Sequence, residues 1–310
     1  MPTHPSVSDS SLRLSQAAAQ FLEYFRVKRK FRPQTIERYA YCLKRVERSL
    51  GDLPVVMITE SAIATIESEL LAAGSGACWQ IVMLSSLKRL LQFCREQLKL
   101  PALDPVTIAV PKRPSREVVY LSVDEVDRFV SAIPLKTQKN QPHWSGLRFR
   151  ALVEVLLGSA MRIGEVLSLN RPDVDFERKE ARVIGKGDKQ RTVFFTDRAL
   201  YWLKRYLEIR SDDALPLFVS QDGITRLDRT DVWRPFARYR RLAGLSKPVR
   251  PHLLRHTAAT QLLFNGCPVG HIKEILGHER LETTCRYYLG LDTRAAKMAL
   301  QKYLSYDHGA

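Results

Sequence analysis

Six residues in the second half of the chain, Arg162, Lys186, His252, Arg255, His278 and Tyr287, are of the types needed to move a phosphodiester from one oxygen to another. Cleaving such a bond builds negative charge on the nonbridging oxygens, and fixed donors must meet that charge. Guanidinium groups suit this task, being always charged and able to donate two parallel hydrogen bonds. Arg162 and Arg255 are the expected pair. His252 and Arg255, three apart in His-Leu-Leu-Arg, share one face of a helix. A histidine that titrates near ~6.5 can give or take a proton at neutral pH. A tyrosine, with a phenol pKa of ~10, becomes a nucleophile once cations and a base favour phenolate. Its attack leaves a covalent phosphotyrosine that stores the bond energy, so resealing requires no ATP. Tyr287 and Tyr288 point about 100° apart on a helix, so only one of them serves a given site.

Other residues support this set. Lys186 lies between Gly185 and Gly187, which let the backbone turn and approach a ligand closely, and a lysine there can protonate a departing oxygen. Lys189 and Arg191 share its hairpin and are expected near phosphates. Glu165, three residues after Arg162, is expected to buttress that arginine. His256 is offset from Arg255 by about a quarter turn and reads as structural or as a support for its catalytic neighbours. The series Cys267, His271, His278, Cys285 has no common zinc spacing, so no metal and no cofactor is expected.

The elements that position these groups follow from periodicity. Apolar residues recur at helical spacing from Leu12 to about Leu100: Phe21, Leu22 and Phe25, then Ile36, Tyr39, Ala40, Leu43 and Val46, then Ile81, Leu84, Leu87, Leu90, Leu91 and Cys94. Residues 12–100 therefore form a helical domain. Residues 101–118 hold four prolines and the cations Lys112, Arg113 and Arg116, which predicts a basic linker. Residues 119–310 form the second domain. Ser122 and Glu125 mark a capping box, and a helix from about 146 to 158 leads toward Arg162. Short strands are expected at 174–176, 181–184 and 192–195, with the last two joined around Lys186. Helices resume at about 197–210, 229–243, 251–265, 268–276, 281–289 and 293–304. The fold class is mainly α with a small antiparallel sheet.

The chain has 310 residues and a net charge of +16, with 17 basic to 11 acidic groups before residue 119 and 32 to 22 after it. Both halves suit a polyanionic partner. Five cysteines without Cys-x-x-Cys spacing read as reduced thiols of a cytosolic protein. No secretory signal precedes Ser11, and the longest uncharged run, 70–87, is broken by Gly74-Ser75-Gly76, so no membrane span is expected.

Ala160-Met161-Arg162-Ile163-Gly164-Glu165, Gly185-Lys186-Gly187-Asp188-Lys189-Gln190-Arg191, His252-Leu253-Leu254-Arg255-His256, and Leu276-Gly277-His278 followed nine residues later by Tyr287 together resemble the tyrosine recombinase, or phage integrase, family. The likeness spans roughly residues 13–305. It implies a SAM-like core-binding domain followed by a catalytic domain, and site-specific breakage and rejoining of double-stranded DNA through a 3′-phosphotyrosyl bond and a Holliday junction. It makes Tyr287 the nucleophile and Lys186 the acid for the 5′-oxygen. His252 then assists proton transfer, and His278 binds the scissile phosphate. Lys112, Arg113, Lys189 and Arg191 become DNA contacts.

The first helix begins near Leu12, so no arm-binding module is expected ahead of it, as in the minimal two-domain type similar to Xer and Cre recombinases. That type acts as a tetramer, either of one chain or shared with a related recombinase, in the bacterial cytoplasm on the nucleoid. Two features depart from the family pattern: Ala160-Met161 replaces the usual Gly-Leu or Gly-Met, and Gly164 stands where a small polar residue is common. Two other readings remain open, a type IB topoisomerase and a DNA-binding accessory protein without catalysis.

Overall fold

In the computed structural model, residues 12–112, 119–141, 143–184 and 190–278 are described. The chain forms two compact units, one on either side of residue 116. The fold is mainly helical with one three-stranded antiparallel sheet. Among the described residues no helix is long and apolar enough to cross a membrane.

The first unit packs four helices, α1 (Leu14–Val27), α2 (Pro33–Leu50), α3 (Glu60–Ala72) and α4 (Ala77–Glu96). Pro33 occupies the first turn of α2, where its missing N–H costs nothing. Thr59 caps α3 by accepting from the Ala62 N–H. The expected stripes face one another in the core, where the Phe21 ring lies 4.5 Å from Phe25, 5.3 Å from Tyr39 and 5.7 Å from Phe93.

The predicted linker begins later than its prolines suggest. Ala102 and Ile108 are buried, and Leu103 and Val110 pack on the same core. The Ala102 carbonyl accepts from Arg95 Nη1 at 2.8 Å and the Ile108 carbonyl from Lys88 Nζ at 3.2 Å, so basic side chains of α4 satisfy the backbone of this segment. Prolines remove donors but leave carbonyls, and a carbonyl-rich strap along a basic helix is the result. Residues 101–110 thus belong to the first unit. Lys112 is exposed at its end, and Arg113 lies outside the described residues.

The second unit is organised around α6 (Trp144–Ser159), a helix buried nearly all round. Two of its charged groups are neutralised in place: Arg150 Nε donates to Glu154 at 2.8 Å, and Arg198 approaches the same carboxylate from α8 (Asp197–Glu208) at 2.8 Å. Ahead of it, α5 (Val123–Ser131) carries the expected capping box, with both Ser122 and Glu125 bonds formed. Beyond it come α7 (Ile163–Ser168), β1 (Val174–Asp175), β2 (Glu180–Ile184), β3 (Gln190–Phe194), α9 (Arg229–Leu242), α10 (Pro251–Phe264) and α11 (Val269–Leu276). Helix α7 was not expected, because six residues are too few for a 3.6-residue period to register.

In the sheet, Ala181 pairs with Val193 and Val183 with Arg191. Alternation places Ala181, Val183, Arg191 and Val193 on one face. Val183 and Val193 are buried there, while Ile184 and Phe194 on the other face are exposed.

One buried tie fixes where this unit starts. The Leu121 N–H donates to Thr257 Oγ1 at 3.0 Å, and that hydroxyl donates to the Leu253 carbonyl at 2.9 Å. Thr257→Val keeps the shape and strands the Leu121 N–H, so it is expected to cost about 1–3 kcal/mol in urea unfolding. A change below a few tenths would show that the N–H finds another acceptor.

Candidate active site

The site is built where α6 and α11 end. Ala160 closes α6 in the left-handed region at φ 53. An alanine there is strained by about 1–2 kcal/mol, but its methyl is buried with Ala259, Ile272 and Leu276, which offsets part of that cost. This is the position where the family pattern has glycine. The sharp turn frees the Ala160 carbonyl and swings Arg162 to the start of α7.

Glu165 then closes a clamp. Its carboxylate accepts from the Arg162 backbone N–H at 2.8 Å, from Arg162 Nη1 at 2.9 Å and from Arg191 Nη2 at 3.0 Å. Burial alone would raise its pKa, but the Arg162 backbone bond and the two guanidiniums outweigh burial and hold it below its ordinary value. Arg162 Nη2 also reaches the Gly277 carbonyl at 3.3 Å.

Arg255 is 5 % exposed. Its Nη1 donates to the Ala160 carbonyl at 2.7 Å and its Nη2 to the Leu276 carbonyl, so carbonyls at two helix ends hold the charge. Nη2 also lies 3.3 Å from His278 Nε2. His252 stands one turn away on α10 with an exposed edge.

The histidines are kept neutral. Burial and the Arg255, Arg162, His256 and Arg191 charges push His278 down to about 4. His252 is lowered by burial and by Arg255, Arg162 and Arg229, and His256 by burial, His252 and Arg255. Neutral imidazoles among fixed cations can accept a proton when an anion arrives. His256 is half-buried on α10.

Arg191 does not stand where its charge predicts, free for a DNA phosphate: its guanidinium is engaged by Glu165 and by the Ile275 carbonyl, which accepts from Nη1 at 2.9 Å. Strand parity explains this: Arg191 shares the inward face with Val193, so it points at α7 and α11. Gly277, at φ 58, admits it, since a Cβ there would stand 2.6 Å from Arg191 Nε and 2.8 Å from Cδ. Lys186, Lys189 and Tyr287 lie outside the described residues.

Sequence reasoning also missed Arg229. Its Nη2 occupies the space beside Gly164, 2.1 Å from where a Cβ would stand, and its charge bears on His252. Glycine in place of a small polar residue therefore makes room for a further cation. A contact between positions 65 residues apart leaves no mark in one sequence.

Residues 120–294 match the phage integrase family, and residues 18–97 match the phage integrase N-terminal SAM-like domain. The chain is 31 % identical over 285 residues to the tyrosine recombinase XerC of Proteus mirabilis, covering 90 % of each protein. It resembles the crystal structure of XerA recombinase, with 29 % identity, a TM-score of 0.53, and coverage of 94 % of this chain and 99 % of the other. It also resembles a lambda integrase tetramer bound to a Holliday junction, with 20 % identity and a TM-score of 0.71 over 88 % of this chain and 79 % of that one.

Two measurements check the clamp and the histidines. Gly277→Ala should cost more in the parent than in Arg191→Ala, because only in the parent does the new methyl displace a guanidinium. A double-mutant cycle in urea should give a coupling of about 1 kcal/mol or more, whereas additive effects would place Arg191 elsewhere. The unfolded chain binds protons at histidines that the folded chain leaves neutral. Stability should therefore be full above about 6.5 and decline as pH falls toward 4. His278→Gln should flatten that decline in a pH series of melting temperatures, and an unchanged slope would contradict the assignment.

Proposed function

The chain belongs to the phage integrase family, and from that premise we propose that it is a site-specific tyrosine recombinase that cuts and rejoins duplex DNA. The observation that carries the chemistry is the convergence of Arg162, Arg255, His252 and His278, with Arg255 Nη2 3.3 Å from His278 Nε2 and Arg162 locked to Glu165. Four nitrogen-bearing side chains within electrostatic reach of one another suit a phosphate held by its nonbridging oxygens.

The proposed reaction assigns one role to each residue. Arg162, Arg255 and His278 hold the nonbridging oxygens. Tyr287 attacks phosphorus through its phenol oxygen while His252 takes the phenol proton. The bond from phosphorus to the 5′-oxygen breaks, and Lys186 protonates that oxygen. A 3′-phosphotyrosyl linkage remains, and a 5′-hydroxyl from the partner strand reverses the steps. Bonds broken and made are of the same kind, so the reaction needs no outside energy.

Strand exchange between two duplexes requires four such sites, so we place the chain in a tetramer at a Holliday junction, formed with copies of itself or with a related recombinase. The lambda integrase tetramer supports that assembly. Its DNA substrate puts the work in the cytoplasm, at the nucleoid. The outcome served is integration, excision or resolution of DNA. Lys112, Arg113 and Lys189 are proposed contacts to the DNA backbone.

Tyr287→Phe should abolish the covalent adduct on a nicked suicide substrate while DNA binding persists. Tyr288→Phe should leave the adduct in place. An adduct that survives the first change and is lost with the second would transfer the nucleophile to Tyr288. A two-site assay should yield recombinants, and supercoil relaxation without recombinants would instead mark a topoisomerase.

A further inference from the structure

A groove on the flank of α9 turned away from the cleavage cluster carries cations that the reaction above does not use. Val232, Phe236 and Tyr239 turn α9 into the core. Arg234, Arg238 and Arg241 follow at i, i+4 and i+7 and form one stripe. Arg234 is about 140° round the helix from Arg229, the residue that faces Gly164 and His252. The stripe lines a cavity of about 790 Å³ whose inner wall includes Arg148 of α6.

Arg148 is treated differently from two other buried arginines of this unit, Arg150 and Arg210, and more like Arg255, which carbonyls hold in the cleavage cluster. Arg150 is paired with Glu154, and Arg210 is paired with Asp212. Arg148 is only 8 % exposed, yet it donates to a single carbonyl, Val219, at 2.6 Å, and its guanidinium lies 4.5 Å over the Trp144 ring. Among the described residues no carboxylate pairs with it. Burying a cation without a counterion is costly, so such a group is built to meet an anion.

The rest of the groove has the same bias. Among the described residues Arg234 and Arg241 make no hydrogen bond or ion pair, and Arg238 lies over the Tyr239 ring. Two carboxylates line the groove, Asp222 and Asp231. Asp222 is committed to its own turn through Ser220, Ile224 and Thr225. Asp231 acts on Arg148 only at a distance. Four guanidiniums against two carboxylates leave the groove positive.

We propose that this groove is a second anion site, in which Arg148 receives a phosphoryl group and Arg234, Arg238 and Arg241 hold it at the mouth. Planar guanidiniums take phosphate oxygens two at a time, and a stripe of them suits consecutive phosphates. The phosphoryl group comes either from the duplex backbone beyond the cleaved bond, an assignment that rests on the recombinase reading, or from a free phosphate ester.

The test compares the full-length chain with Arg234→Ala/Arg241→Ala and with a matched loss of two exposed cations on α8, Lys204→Ala/Arg205→Ala. Duplex binding is measured across a salt series, and inorganic pyrophosphate binding is measured calorimetrically without DNA. If the backbone fills the groove, the slope of log affinity against log salt falls by about 2 in the groove variant and by less in the control. If a free ester fills it, pyrophosphate binds the parent and is lost in the groove variant, while the slope stays put. Equal slopes in the two variants, together with no pyrophosphate binding to the parent, overturn the site. Adduct yield at saturating suicide substrate should match the parent, because the groove residues stand apart from the cleavage cluster. Absence of adduct in the parent would count against the recombinase reading and leave the pyrophosphate arm intact.

Discussion

The Glu165 carboxylate is the interaction on which the candidate site depends. It is buried, and it receives the backbone and side chain of Arg162 together with the side chain of Arg191. A buried carboxylate shared by two guanidiniums is held in one geometry, since removing either guanidinium strips hydrogen bonds from a desolvated oxygen. One anion thereby fixes three pieces of chain: the start of α7, the inner face of β3, and, through Arg191, the end of α11. The start of β3 is anchored by the same group that orients Arg162.

Helix ends provide the rest of the scaffold. Both α6 and α11 terminate in a left-handed residue, Ala160 at φ 53 and Gly277 at φ 58. Carbonyls of a final turn lack intrahelical partners, and here arginines supply them. Arg255 takes the Ala160 and Leu276 carbonyls, and Arg162 takes that of Gly277. Two costs of folding, the orphaned carbonyls and the buried cations, satisfy one another. Burial depresses the nearby histidines, and the same cations add to it, so part of the site's electrostatics follows from how its helices stop.

Much of this was legible from residue types in order. His252 and Arg255 were placed by helical spacing, Glu165 by its three-residue step, and the α5 cap by Ser122 and Glu125. Arg191 was legible in principle, since strand parity with Val193 sends it inward, but its charge suggested a surface. Other features were not readable. The strap at 101–110 is held by Arg95 and Lys88, whose carbonyl partners a proline count does not reveal. Arg229 against Gly164 is a contact in space with no local pattern, and α7 is shorter than two turns.

The burial of α6 has one more consequence. Arg148 near its beginning lines the arginine groove, and Ala160 at its end holds Arg255. Twelve residues of helix separate them, about 18 Å at 1.5 Å per residue. Because α6 is packed on nearly every side, that span is stiff. The arginine groove and the helix end that holds Arg255 therefore keep a fixed separation, and the length of one buried helix sets the spacing of two clusters of cations.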